Sequence, residues 1–179
     1  MKTIVFVARL ALTLLAITAV VAVALAGVNM ITAPAIAELN AQNTQAAIEA
    51  VLPGGGEELA DFPAVDLVSK VYASDAGYAV QVTPGGFDNT ITMMVGVDKA
   101  GNVLGIDVVS HTETAGLGAV SDADTPAGIS FREQFIGAAG SVAVTKDGGQ
   151  MDAITGATIT SRAVCAGVNA ALECVAQMG

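Results

Sequence analysis

Hydroxyl and carboxylate side chains cluster in one segment near the C-terminus, Asp152 to Ser161 (DAITGATITS). Gly156 and Ala157 keep the backbone beside Thr158 uncrowded, so the Thr158 hydroxyl could be presented to a bulky partner. The segment leads directly into an apolar helical pattern, where free backbone N–H groups and the helix dipole would stabilise an anion. This combination predicts a site that holds a phosphate without hydrolysing it.

The same segment also has a simpler interpretation. Thr155, Thr160 and Ser161 could donate hydrogen bonds to a phosphate through their hydroxyl groups. Asp, Thr and Gly are also common in ordinary turns, and Thr160 or Ser161 is a plausible N-cap for the helix that follows. The residues alone leave both interpretations open.

A second polar segment, His111 to Gly118 (HTETAGLG), contains the single histidine of the chain. One histidine with one nearby carboxylate, Glu113, falls short of a metal-ligand set, so a solvated loop is favoured over a metal site. Cys165 and Cys174 would lie on opposite faces of the C-terminal helix, about 13 Å apart along its axis, too far to form a disulfide. We therefore expect no metal site, and any redox cofactor must be organic.

The composition excludes other classes of function. With 17 acidic against 7 basic residues, the chain has a net charge of −10 and should be repelled by nucleic acid. Its 179 residues have room for one domain plus an anchor. The sequence contains no dinucleotide-type βαβ unit and no phosphate-binding P-loop.

The stretch from Leu10 to Ala33 has no charged side chain and would span about 36 Å as a helix, enough to cross a bilayer core of about 30 Å. Lys2 and Arg9 are the flanking basic residues, so the positive-inside rule predicts a cytoplasmic N-terminus and an extracytoplasmic domain. A cleaved signal peptide is the alternative, although its apolar core is usually only about 7–15 residues long. An uncleaved single-pass anchor in the cell membrane is therefore favoured.

The rest of the chain predicts an α+β fold, an antiparallel sheet with packing helices. Short β-like runs separated by tight turns lie at 66–73, 77–83, 90–97 and 103–109. A segment at 130–137 places two phenylalanines one helical turn apart, and an apolar helix ends the chain. The predicted division is a cytoplasmic N-terminus at 1–9, a transmembrane helix at 10–33, a juxtamembrane helix and linker at 34–56, and the domain at 57–179.

The Asp-x-x-Thr-Gly-Ala-Thr pattern at 152–158 resembles the flavinylation motif of the FMN-binding domain family. That family includes the G subunit of the Rnf complex and the C subunit of the sodium-pumping NADH:quinone oxidoreductase. The resemblance implies that Thr158 bears FMN as a covalent phosphoester, installed by a flavin transferase. It also implies that Asp152 supports this transfer and that the other positions of the motif complete the cofactor site.

The segment at 111–118 is similar to the His-x-Glu-Thr-Pro-Gly-Leu-Gly loop that lies against the flavin in this family. The resemblance implies cofactor-binding roles for His111, Glu113, Thr114, Gly116, Leu117 and Gly118. Ala115 stands where proline is usual, which loosens the loop but leaves its polar and glycine positions intact. The glycines would allow the backbone to approach a flat ring closely.

The resemblance extends over nearly the whole chain and implies an electron carrier without independent catalysis. The chain's length favours the Rnf G type, an electron-carrier subunit of a membrane-bound ion-translocating ferredoxin:NAD oxidoreductase. Its partners would be the flavin and iron–sulfur subunits of the complex. The alternatives are the C-type subunit, a stand-alone extracytoplasmic flavoprotein reductase, and a cofactor-free structural subunit or secreted binding domain.

Overall fold

The computed structural model describes residues 2–178, with side chains described from Phe6 onward. Its first helix, α1, spans Lys2–Val51 and contains Pro34. The part of α1 that precedes residue 42 belongs to one compact unit, and residues from 42 onward form the other. Within the described residues, one helix is long and apolar enough to cross a membrane, and this segment runs from Phe6 to Val51.

The predicted anchor and the predicted juxtamembrane helix both lie in α1. Pro34 has no N–H group and removes one hydrogen bond of the helix, but this loss does not end α1. The helix stops at Val51, within the segment at 34–56 that was predicted to hold the juxtamembrane helix and a linker. Gly54 and Gly55 then adopt positive φ angles of 88° and 71°, which side chains with a Cβ rarely accept.

Five antiparallel strands pair in chain order to form one sheet. They are β1 (Glu57–Glu58), β2 (Val68–Ala73), β3 (Gly77–Val82), β4 (Thr92–Asp98) and β5 (Val103–Ser110). The four predicted strands are confirmed, with small shifts at their ends. The short edge strand β1 was not predicted, because two consecutive glutamates carry no strand pattern.

Two further helices follow the sheet, α2 (Pro126–Glu133) and α3 (Thr158–Met178). The Thr125 side chain caps α2 by accepting a hydrogen bond from the Gly128 N–H. Because of this cap, α2 starts before the segment predicted at 130–137. It ends at Glu133, within that segment. The rings of Phe131 and Phe135 meet edge to face with centroids 5.5 Å apart, although Phe135 lies beyond the helix.

Helix α3 begins at Thr158, so the predicted N-cap at Thr160 or Ser161 is wrong. Both residues lie inside the first turn and are buried. The Ser161 N–H and hydroxyl both donate to the Ala157 carbonyl oxygen, each at 3.0 Å. The helix therefore starts earlier than the apolar pattern indicated, and Thr158 is its first residue.

Helices cover both faces of the sheet. Helix α3 packs on β2, β3 and β4, and Gly167 lets it approach Val82 and Met93 closely. The last turn of α1 packs on the other face, where a Cβ at Gly96 would overlap the Val51 backbone. The α+β fold class is confirmed. Both cysteines are free and buried in α3, as expected.

Candidate functional site

A cavity of about 260 Å³ opens where the first turn of α3 meets two loops, and we name it the Thr158 cavity. Eight of the residues predicted for a cofactor site line it: Glu113, Thr114, Leu117, Gly118, Gly156, Ala157, Thr158 and Thr160. Three further lining residues were not predicted for the site: Phe87, Lys146 and Ile159. The fold therefore brings together the two polar segments that the sequence singled out.

A tight turn presents Thr158 to the cavity. Gly156 adopts a positive φ of 79°, and the Ala157 N–H donates to the Ile154 carbonyl at 2.9 Å. The buried Ser161 hydroxyl accepts from the Ile154 N–H at 3.0 Å and so ties the turn to α3. Ser161 therefore supports the turn from inside the protein and does not line the cavity.

Lys146 faces Thr158 across the rim of the cavity. Its Nζ donates a hydrogen bond to the Thr158 Oγ1 at 3.1 Å. Lys146 lies in a 3-10 turn, Thr145–Asp147, which precedes Gly148. The cavity thus combines an exposed ammonium group, a hydroxyl and the first backbone N–H groups of a long helix, a combination that favours an anion.

An ion pair fixes the lysine-bearing turn to α3. The Arg162 guanidinium donates to both carboxylate oxygens of Asp147, at 2.6 Å each. This contact holds the pKa of Asp147 below its usual range, and Asp147 in turn raises the pKa of Arg162. Because the contact is bidentate, it restrains the orientation of the turn better than a single contact would.

Glu113 forms the floor of the Thr158 cavity and is only 8% exposed. One carboxylate oxygen accepts from the Phe87 N–H at 2.8 Å and from the Asp88 N–H at 3.4 Å. The other accepts from the Thr160 hydroxyl at 2.5 Å. Because its hydrogen-bond donors lie in two separate segments, Glu113 connects the 84–91 loop to the first turn of α3.

Two glycines make room for this carboxylate. A Cβ on Gly86 would overlap one Glu113 oxygen, and a Cβ on Gly118 would overlap the other. Gly118 was predicted as a position of close backbone approach to a ring, and it lines the Thr158 cavity. The absence of a Cβ at Gly118 also leaves space for the Glu113 carboxylate.

His111 lies outside the lining of the cavity. Its Nδ1 accepts from the Glu113 N–H at 3.1 Å, and its Nε2 lies 3.7 Å from the Asp122 Oδ2. The ring therefore orients the backbone that carries Glu113. In the part of the chain that the structure describes, no group of three or more His, Cys, Asp or Glu residues is arranged to hold a metal ion.

A second cavity, of about 360 Å³, is lined by three of the five remaining predicted site residues, and we name it the Asp152 cavity. Gly116, Asp152 and Thr155 line it together with residues of α2. Gln134 binds the Asp152 backbone there, accepting from its N–H at 2.7 Å and donating to its carbonyl at 3.3 Å. These three predicted residues therefore lie apart from the Thr158 cavity.

The three lining residues that the sequence did not predict differ in how strongly their positions indicated a site. Phe87 and Ile159 are 66 and 49% exposed, and with the predicted Leu117, which is 44% exposed, they concentrate apolar groups at the Thr158 cavity. Ile159 directly follows the motif and could have been included. Lys146 lies in a glycine-flanked turn whose sequence does not reveal that it folds back onto Thr158.

Comparison with known proteins defines the class of this domain. Residues 86–173 match the FMN-binding domain family, and they span both the 111–118 loop and the 152–158 motif. The chain is 34% identical to the G subunit of the Na⁺-translocating ferredoxin:NAD⁺ oxidoreductase complex of Acetobacterium woodii, over 92% of this chain and 89% of that protein. It is 35% identical to the G subunit of the ion-translocating oxidoreductase complex of Stutzerimonas stutzeri, over 91% of this chain and 78% of that protein.

A shorter match links the chain to Vibrio vulnificus, in which the G subunit of the ion-translocating oxidoreductase complex is 41% identical over 52% of this chain and 46% of that protein. The two longer matches extend over almost the whole chain, including residues that precede the FMN-binding domain. The chain therefore belongs to the family of G subunits of ion-translocating oxidoreductase complexes, and the predicted resemblance is confirmed.

Proposed function

We propose that this protein is the electron-carrier subunit of a membrane-bound ion-translocating ferredoxin:NAD oxidoreductase, and that it holds FMN through a phosphoester to Thr158. The observation that carries the proposal is the position of the Thr158 hydroxyl. It lies at the rim of a cavity in an FMN-binding domain, with the Lys146 ammonium 3.1 Å away. The names of the two long matches support the assignment to such a complex.

The residues present suit the phosphate end of FMN. Thr158 is the first residue of α3, so unpaired backbone N–H groups of the first turn lie beside its hydroxyl. The helix dipole and the Lys146 ammonium both favour a negative charge there. Ala157 is small and buried, so it leaves space beside the attachment point.

The residues present also suit a flat ring system. Phe87, Leu117 and Ile159 offer exposed apolar surface around the mouth of the cavity, and covering that surface would exclude water from it. Thr114 and nearby backbone groups could hydrogen-bond the polar edge of the ring. The Glu113 carboxylate is already occupied by three donors, so its part is to hold the floor of the cavity in place.

Bound FMN supplies a centre that accepts and releases electrons, and the protein supplies its position and surroundings. A covalent link at Thr158 keeps the cofactor from dissociating and holds it at one point of the fold. The first turn of α3 would hold the negative charge of the phosphate. No residue of the cavity needs to transform a substrate in this proposal.

The proposed setting is a membrane, with the N-terminus in the cytoplasm and the FMN-binding domain outside it. The charge-free stretch from Leu10 to Ala33 within α1 and the placement of Lys2 and Arg9 before that stretch support this orientation. The proposed partners are the flavin and iron–sulfur subunits of the complex. A flavin transferase would attach the FMN during maturation.

Mass spectrometry of the full chain, co-expressed with a flavin transferase, tests the proposal. We expect a mass increase equal to an FMN phosphoester, located on the peptide that contains Thr158. Fragmentation should place the added mass on Thr158 and leave Thr155 and Thr160 unmodified. An unmodified peptide from protein that still supports electron flow through the complex would contradict the proposed attachment.

A further inference from the structure

Lys146 differs in its contacts from three of the four other lysine and arginine residues of the folded unit. Lys70, Arg132 and Arg162 each form an ion pair with a carboxylate, and the fourth, Lys99, is an exposed residue of the β4–β5 turn, away from the Thr158 cavity. Among the described residues, no carboxylate oxygen lies within 4.0 Å of the Lys146 ammonium, which donates to the neutral Thr158 hydroxyl. In a chain of net charge −10, a cation directed at a hydroxyl and not at a carboxylate is available to a bound anion.

The position of Lys146 is fixed on both sides of its turn. The Thr145 N–H donates to the Met151 carbonyl at 2.8 Å, which closes the 144–151 loop. On the other side, Asp147 is held by both donor groups of Arg162. The side chain of Lys146 therefore leaves a restrained backbone, and its ammonium reaches the start of α3 without a carboxylate partner.

We propose that Lys146 binds the phosphate of the attached FMN, and that the Asp147–Arg162 pair positions Lys146 for this contact. The inference rests on the proposed function, because it needs a phosphoester at Thr158. A phosphate linked on both sides keeps one negative charge, and the Lys146 ammonium supplies one positive charge. Once Thr158 Oγ1 is esterified, the same ammonium lies within reach of the phosphate oxygens next to it.

The ³¹P resonance of the flavinylated full chain, held in a phosphate-free detergent, reports this contact directly. The ammonium polarises the phosphate oxygens that it contacts, so Lys146→Gln should move the ³¹P resonance away from its wild-type position at neutral pH. In the matched control Lys99→Gln, an exposed lysine of the β4–β5 turn, the resonance should stay at the wild-type position.

Asp147→Asn tests the positioning part of the inference. The amide can no longer form an ion pair with Arg162, so the turn should hold Lys146 less firmly. We expect its ³¹P resonance to lie between those of the wild type and Lys146→Gln. A resonance at the wild-type position would show that Asp147 does not position Lys146.

Thermal unfolding gives a second readout. Attachment of FMN should raise Tm of the wild type more than that of Lys146→Gln, with a difference of about 2 °C for one partly exposed ion pair. Without FMN the two proteins should unfold at nearly the same temperature. Lys146→Arg keeps the charge and should recover the wild-type increase.

The two proposals fail in different ways. If the wild type carries no ³¹P signal on the Thr158 peptide, the proposed function fails before any variant is compared. If the wild type is flavinylated and Lys146→Gln leaves the ³¹P resonance at its wild-type position, the role of Lys146 is refuted and the proposed function stands.

Discussion

The Thr158 cavity and the Asp152 cavity divide one sequence motif between them. Residues 152–155 line the Asp152 cavity, and residues 156–158 line the Thr158 cavity. The Asp152 cavity is the larger, at about 360 against 260 Å³, and each lining contains one carboxylate, that of Asp152 or of Glu113. The lining of the smaller cavity also contains a cation, Lys146, and its Glu113 carboxylate is engaged by three donors, whereas the lining of the Asp152 cavity contains no cation.

This difference means that only one part of the sequence motif, residues 156–158, faces surroundings that suit an anion. A phosphate would be repelled by the Asp152 carboxylate and attracted by Lys146, so the anion belongs on the Thr158 side. Asp152 was expected to support attachment, and its position in the other cavity agrees with a role that does not require contact with the bound cofactor. The Gly156 turn between the two cavities lets adjacent residues face different surroundings.

Removal of the Thr158 hydroxyl should have the largest effect. We expect Thr158→Ala to fold but to carry no covalent FMN, measured as flavin fluorescence in the denatured chain. Thr158→Ser keeps a hydroxyl at the same backbone position and should retain attachment. Normal covalent flavin in Thr158→Ala would remove the distinction between the two cavities, because another hydroxyl would then be the acceptor.

Glu113→Gln should have the next largest effect, since it weakens the floor of the Thr158 cavity alone. The amide keeps the shape of the side chain but removes the charge that accepts from Phe87 N–H and the Thr160 hydroxyl. For a buried, charge-assisted network we expect a loss of about 2 kcal/mol, or about 5 °C in Tm. Glu133→Gln, an exposed change at the end of α2, is the control and should leave Tm unchanged.

A smaller effect is expected from Asp107 on β5, whose neighbours include charged residues on and before α2. Burial, and then the nearby Asp122, raises the pKa of the Asp107 carboxyl. The folded state therefore binds the Asp107 proton more tightly, and this contribution to stability falls as pH rises from about 3.8 through the raised pKa. Asp107→Asn should have a higher Tm than the wild type at pH 7, measured by thermal unfolding.

The difference in Tm between Asp107→Asn and the wild type should depend on pH. Below the unfolded-state pKa both proteins are uncharged at this position, so the advantage of Asp107→Asn should disappear there. An advantage that is the same at pH 3 and pH 7 would show that packing, and not charge, is responsible.

The smallest expected effect concerns Cys165, which reports whether α3 stays folded when FMN is absent. Burial raises the pKa of the Cys165 thiol to about 11, so little reactive thiolate exists at pH 8. Reaction with a thiol reagent should be slow in the wild type and equally slow in Thr158→Ala. Fast labelling of Thr158→Ala would mean that its loss of flavin reflects unfolding of α3 and not removal of the hydroxyl.

Local signals in the sequence predicted most of the fold. Alternating apolar residues and tight turns located β2 to β5, and the apolar pattern located α3, because these features depend on near neighbours. The start of α3 was missed because the helix follows directly from the Gly156 turn and needs no side-chain cap at Thr160 or Ser161. The edge strand β1 is defined by its pairing with β2, and the sequence of its two glutamates does not predict that pairing.

The site was predictable only in part, because several of its contacts join residues that are far apart in the sequence. The motif identified Thr158, but Lys146 reaches it from 12 positions earlier in the chain and Glu113 reaches Thr160 across 47. Such contacts depend on the folded loops and leave no local pattern. The resemblance to the family motif implied that Asp152 and Thr155 belong to the same site as Thr158, and this stays a prediction. The backbone turns at Gly156, so Asp152 and Thr155 line the neighbouring cavity.

Thr158 is the first residue of a 21-residue helix that packs along the centre of the sheet. A group bonded at Thr158 has the small positional fluctuations of a packed helix. A group bonded to a loop would have the larger fluctuations of that loop. Electron tunnelling slows steeply with distance, so a narrow spread of donor–acceptor separations gives a narrow spread of transfer rates. With FMN attached at Thr158, as proposed, the rigidity of the helix would therefore limit the variation in electron-transfer rate between molecules.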